Sequence, residues 1–202
     1  MDNTISKETI DNLMKIKGGA RGVVLKTDEE YILKEKGKQG IMQLEKKLEE
    51  LGHPIKYSQI KTMSFYPVGL RVLSLLAIRE VFNFSDEEIR KIGIFATKTS
   101  LIIRLFTKYF LSMRRVVMKE SPKMWSKHWT IGKLVPVELN EKQKYAVIRV
   151  EEFNLDPLYC IYLEGYFTGI VQMLAKASKI DSQETKCAFK GDPYHEFTVK
   201  WQ

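Results

Sequence analysis

ETKCAFKGDPYHEFTVKWQ, residues Glu184 to Gln202, is the stretch that decides the fold. Two short runs flank Gly191-Asp192-Pro193, which favours a tight turn, and His195, Phe197, Val199 and Trp201 alternate along the second run. A period of two places those side chains on one face of a strand. The stretch therefore reads as a terminal β-hairpin with one buried face. Cys187 stands on its first strand in alternation with Phe189, and His195 opens the second.

Upstream, strand-like patterning recurs at Leu134 to Leu139 and Tyr145 to Phe153, separated by the polar turn Asn140 to Lys144. Pro136 has no amide proton to give to a ladder, which assigns its strand to a sheet edge. Between the two hairpins a helix runs from Leu158 to about Lys176, with Asp156 as N-cap and Pro157 at its first position. It is apolar on most sides and so reads as buried, and Gly165 and Gly169 would let another backbone come close. Two hairpins flanking a long helix predict an α+β fold, an antiparallel sheet of about four strands covered by helices.

The remainder reads as helical. Thr4 to Ile16 predicts a short helix, Gly18 to Gly22 a break, and Val23-Val24-Leu25 a brief extended segment. Thr27 to Glu30 and Ser85 to Glu88 both have the capping-box form, in which a hydroxyl and a glutamate three residues on satisfy each other's orphan amides. Ile41, Leu44, Leu48 and Leu51 follow helical spacing over Gln39 to Leu51, with Gly52 as the stop. Pro67 suits the first position of a helix carrying Leu70, Leu73, Leu76, Ala77, Ile78 and Val81. The second box opens Asp86 to about Phe95, and Thr97 or Thr99 would cap a helix through Leu101, Ile102, Leu105, Phe106, Tyr109 and Phe110. The expected division is a charged helical region over residues 1–55 and an α+β domain over 56–202.

With 44% hydrophobic and 29% charged residues, the 202-residue chain has the composition of a folded protein, which excludes wholesale disorder. The N-terminus is polar and carries no leader-like apolar segment, and the most apolar helical stretch, Ser100 to Met118, contains Arg104, Lys108, Arg114 and Arg115. Cytoplasmic residence with two reduced thiols and no integral membrane segment is the expectation. Gly18 to Gly22 lacks the Gly-Lys-Ser/Thr ending of a phosphate loop, and no serine sits in a nucleophile elbow. The chain reads as non-catalytic.

Two groups of residues are candidates for a site. From 114 to 133 six Lys/Arg face one acid, Glu120, and Trp125, His128 and Trp129 are interleaved with them. Such a patch suits an anionic or aromatic small molecule, and Arg114, Arg115, Phe106, Tyr109, Tyr162 and Tyr166 complete the candidate ligand-binding set. The plainer reading is a solvated basic loop whose tryptophans plug the core; with a formal charge of +8, nucleic acid is the least favoured partner. The second group is Cys160, Cys187 and His195, thiols and an imidazole of the kind that bind zinc. A structural zinc site takes four donors, which Asp192 or Glu164 could complete; packing of the cysteines as small hydrophobes is the favoured alternative.

The small residues Gly165 and Gly169, Glu184-x-x-Cys187, Gly191-Asp192 and the Phe-containing last strand together resemble the 4-vinyl reductase-type small-ligand domain. That family shares its α+β plan with TRAPP subunits and, more loosely, with haem-nitric-oxide sensor domains. The resemblance covers roughly residues 60 to 202 and is sharpest from Gly165 to Trp201. It implies a cytoplasmic domain that binds a small molecule between helices and sheet; the expectation is a sensor or carrier of an apolar, aromatic or anionic molecule, expected as a homodimer, with readout through a dimer interface or the charged N-terminal region. A dimeric scaffold without a free ligand, or a haem- or metal-binding protein, is the alternative. Departures bear on the cofactor. Tyr194-His195 stands where the family carries a second Cys, and the Tyr-x-Ser-x-Arg motif of haem-nitric-oxide sensors is absent, as is a His in a proximal context. Zinc and haem both lack a complete motif.

Overall fold

Ser6 caps the first helix, α1 (Lys7–Lys15), by accepting the Thr9 amide at 3.0 Å. The chain is described here from a computed structural model covering residues 4–99 and 112–202. After α1, β1 (Gly19–Arg21) leads directly into α2 (Gly22–Glu50). Val23-Val24-Leu25 is thus helical, not extended. The amides of Gly22 and Val23, which lack helical acceptors, donate instead to the carbonyls of Ser64 and Thr62, and this tertiary anchor starts the helix. Thr27 to Glu30 is correspondingly no cap. The Thr27 hydroxyl donates to the Val23 carbonyl one turn back, and Asp28 turns into the core.

Gly37 adopts φ 66° and ψ −168° inside α2, so the helix is broken there, and the segment predicted from Gln39 is its second piece. Gly52, at φ 77°, stops it as predicted. β2 (Phe65–Pro67) pairs antiparallel with β1, and Pro67 is the cap of α3 (Val68–Phe82) rather than its first residue. Because β2 and α3 pack with β1 and α2, the first compact unit is Met1–Ile89 with His128–Thr130.

The second unit comprises Arg90–Lys127 and Ile131–Gln202. The chain enters it along α4 (Asp86–Thr99), opened by the predicted capping box: the Ser85 amide donates to Glu88 Oε2 at 2.7 Å. Thr97 lies inside α4, its hydroxyl donating to the Ile94 carbonyl, and caps nothing beyond it. The helix predicted through Leu101 and Phe110 lies outside the described residues. A helical segment then opens at Met113–Arg115, widens to a π turn over Val116–Glu120, and continues as α5 (Ser121–His128).

The sheet consists of β3 (Lys133–Asn140), β4 (Tyr145–Glu151), β5 (Ile180–Lys186) and β6 (His195–Trp201), ordered β3-β4-β6-β5 and antiparallel throughout. Pro136 is on the edge strand, next to a register shift, as its missing donor requires. Helix α6 (Pro157–Ala175) packs on β5 and β6, with the Leu158 amide donating to Asp156 Oδ1 at 2.8 Å. A Cβ on Gly165 would stand 2.0 Å from the Arg90 carbonyl oxygen, and one on Gly93 2.2 Å from that of Tyr162. The backbones of α4 and α6 are therefore in contact. The α+β class, the four-stranded sheet and the helical N-terminal region match the sequence reading. No helix of the described residues is long and apolar enough to cross a membrane.

Candidate metal centre

The terminal hairpin departs from ideal pairing where chemistry gathers. β5 ends at Lys186, and a 3-10 turn over Ala188–Lys190 and Gly191 at φ 98° carry the chain around. The Cys187 carbonyl accepts the amides of Lys190 and Asp192, at 2.9 and 3.2 Å, which closes the turn. Cys187 and Phe189 consequently do not share a strand face: Cys187 is buried, while Phe189 is 42% exposed.

Cys187 meets three other donors. Cys160 comes from the first turn of α6, Glu184 from β5, and His195 from the first position of β6. One ligand atom from each lies within 4.8 Å of all the others. His195 Nδ1 is 2.8 Å from Glu184 Oε1 and 3.5 Å from Cys160 Sγ. His195 is 1% exposed, and both cysteines are buried and free of disulfides. A tetrahedral zinc ion with bonds of 2.0 to 2.3 Å spaces its donors about 3.3–3.8 Å apart, so binding would draw the widest pairs of the cluster inward and open the His195–Glu184 pair from 2.8 Å.

The electrostatics favour a cation. Burial opposes ionisation of Glu184, yet hydrogen bonds from His195, Cys160 and Cys187 hold its carboxyl below the usual range. Burial, reinforced by the Glu184 charge, pushes the Cys160 thiol up, and burial does the same to Cys187. Among the described residues no Lys or Arg pairs with Glu184; its ion-pair partner is His195.

Three of the four residues, His195, Cys187 and Glu184, are supported from behind. His195 Nε2 lies 3.2 Å from Asn154 Oδ1, which holds the ring from behind while Nδ1 faces the cluster. The Cys187 amide donates to Asp192 Oδ2 at 2.8 Å, and the Glu184 amide to Glu164 Oε1 at 2.9 Å. Glu164 and Asp192, expected as the fourth ligand, thus hold ligand backbone instead, and Glu184 supplies the fourth donor. The Glu184-x-x-Cys187 spacing was the sequence signal for it.

The expected ligand-binding residues that are described fall in both units. Trp125 donates from Nε1 to the Ile131 carbonyl, and its ring meets Phe153 edge-on at 4.8 Å. Phe153, Tyr159 and Tyr162 continue an aromatic row through the second unit at 5.6 and 5.0 Å, and Tyr166 packs on Phe167 at 5.8 Å. His128 and Trp129 belong to the first unit, where Trp129 bridges Ala20. Arg114 and Arg115 are exposed, with Arg115 Nε 3.6 Å from Glu120. Phe106 and Tyr109 lie outside the described residues.

Several solved structures share this fold. An H-NOX protein from S. oneidensis in the Fe(II)NO ligation state has a TM-score of 0.64 at 15% identity, over 90% of this chain and 99% of its own. A triple mutant of an S. oneidensis H-NOX protein in the Fe(II) state gives 0.66 at 17% identity, over 90% and 96%. An engineered Tt H-NOX gives 0.61 at 16%, over 90% and 95%. At such identities the likeness establishes the fold. The resemblance to the 4-vinyl reductase type and to TRAPP subunits finds no support among these structures; the haem-nitric-oxide sensor likeness, expected only loosely, is the one they carry. No protein-family model and no curated protein matches the sequence.

Proposed function

We propose that this chain is a non-catalytic sensor domain of H-NOX-type fold that holds one zinc-class cation on Cys160, Glu184, Cys187 and His195. The observation that carries the reading is the convergence of those four donor atoms within 4.8 Å in a buried place where, among the described residues, no Lys or Arg pairs with the carboxylate. Thiolate and imidazole select zinc-class ions, and four protein donors form a closed site with no position left for substrate. The ion supplies positive charge and fixes the start of α6 to both strands of the terminal hairpin. The free thiols suit a reducing, cytoplasmic setting, and a homodimer is the proposed form for readout.

The solved neighbours favour the metal- or haem-binding alternative over a plain organic-ligand carrier. Those neighbours include H-NOX proteins in Fe(II) and Fe(II)NO ligation states and one in which haem redox potential is modulated through porphyrin distortion. The donor set here suits a bare ion, however, and does not fit haem. Both thiols and one of the chain's three imidazoles converge with their ligand atoms within 4.8 Å of one another, too close together for a macrocycle to stand between them. The other imidazoles are His53, just past the helix stop at Gly52, and His128, at the end of α5. A second reading keeps a small-molecule site on the aromatic row; Trp125→Ala should then weaken binding of a co-purified molecule while the fold persists.

Metal analysis of purified protein tests the main reading. About one zinc per chain is expected, with no Soret band. Cys187→Ser should abolish stoichiometric zinc and lower the melting temperature together. Metal-free wild-type protein whose melting temperature ignores added zinc overturns the reading.

A further inference from the structure

We propose that Glu164 is a positioning residue that couples occupancy of this metal site to helix α4; the inference rests on the metal reading above. Glu164 follows Cys160 by four residues on α6, so the two side chains share a helix face one turn apart. Its carboxylate divides its work. Oε1 accepts the amide of the ligand Glu184 at 2.9 Å, and Oε2 accepts Arg90 Nε at 2.8 Å. The Glu164 side chain is 13% exposed, so these charge-assisted bonds are only partly open to water.

Arg90 is the first residue of the second unit, on the helix that carries the chain into it. The neighbouring packing leaves little slack. Gly165, next to Glu164, sits against the Arg90 carbonyl, and Gly93, one turn beyond Arg90, sits against that of Tyr162. A shift of the first turns of α6 is therefore passed to α4 rather than absorbed by side chains. A metal ion that draws Cys160 and Glu184 together acts on the two points between which Glu164 is anchored. In its absence those points are joined through hydrogen bonds alone. Metal binding thus fixes the carboxylate that holds Arg90, and by linkage the Arg90 contact favours metal binding.

The test uses full-length protein, Zn2+ competed against a chelator of known affinity, and amide hydrogen exchange over α4 with and without zinc. In the wild type zinc should slow exchange around Arg90 to Ile94. Glu164→Ala should weaken zinc about 10- to 100-fold, the usual cost of losing a residue that orients a ligand, and leave α4 exchange indifferent to zinc at saturation. Glu164→Gln keeps a carbonyl for the Glu184 amide, so it should retain most of the affinity while losing much of the effect on α4. A merely structural residue would not separate those two readouts. Zinc binding by the wild type with α4 exchange unchanged, or a Glu164→Ala variant with wild-type affinity and coupling, overturns this inference alone. A wild type that binds no zinc overturns the metal reading and this inference with it.

Discussion

Arg71, Asp28, Ser74 and Tyr57 in the first unit and Cys160, Glu184, Cys187 and His195 in the second are both buried polar clusters, yet only the first brings its own cation. Arg71 Nη1 donates to Asp28 Oδ2 at 2.7 Å, and Ser74 Oγ donates to the same oxygen at 2.6 Å. The Ser74 proton being used there, the Tyr57 hydroxyl 2.6 Å away donates to Ser74 Oγ. All four side chains are fully buried. Burial pushes the Asp28 carboxyl up to about 6 even against the pull of Arg71 and Ser74. The second cluster gathers a carboxylate, two thiols and an imidazole with no Lys or Arg partner among the described residues. Charge balance separates the two: the first has an arginine built in, whereas the second leaves its carboxylate to an imidazole alone, the place where the proposed cation would act.

Removing the cation from the first cluster should have the largest effect. Arg71→Met leaves Asp28 buried without its counter-charge and should cost about 3–5 kcal/mol in urea unfolding. A cost below about 1 kcal/mol would show that the first cluster does not hold its unit together, and the contrast would fail. Gly165→Ala should come next. Its methyl meets the Arg90 carbonyl at 2.0 Å and should cost about 1–3 kcal/mol while weakening zinc, because Cys160 moves with α6. Weakened zinc in Gly165→Ala but not in Arg71→Met would sharpen the assignment of the metal to the second unit. The smallest effect is a pH trend. Asp28 loses its proton near 3.8 when unfolded but near 6 when folded, so wild-type stability contributed by that proton is present below about pH 4 and lost as pH rises through about 6. Thermal midpoints of wild type minus Asp28→Asn should therefore fall between pH 4 and 6. A flat difference would mean that Asp28 is ionised throughout.

Features set by neighbours in sequence were legible in advance. The Ser85 capping box, the Asp156 cap, the stop at Gly52 and the edge position of Pro136 each follow from one residue's own donors, acceptors or φ, and each stands as predicted. The failures have a common cause. Thr27 to Glu30 has the letters of a capping box, but the helix had already been started upstream by the carbonyls of Thr62 and Ser64. Nothing within six residues of Val23 announces those partners.

The alternation of His195, Phe197, Val199 and Trp201, with that of the earlier hairpin, was enough to determine an α+β protein with a four-stranded sheet, because side-chain period is a local property of the backbone. Residue type, two thiols and an imidazole, made Cys160, Cys187 and His195 the candidate metal donors, beside the plainer reading of the cysteines as packed hydrophobes. Only the tertiary structure chose the fourth. Glu164 shares a helix face with Cys160 and Asp192 follows the turn, so both were reasonable from spacing. Packing of α6 on β5 and β6 brings the Glu184 carboxylate inward and gives the other two carboxylates amides to hold. Which acid joins the two thiols and the imidazole depends on where a helix start and a strand end, 24 residues apart between Cys160 and Glu184, come to rest against each other, and spacing along the chain does not carry that information.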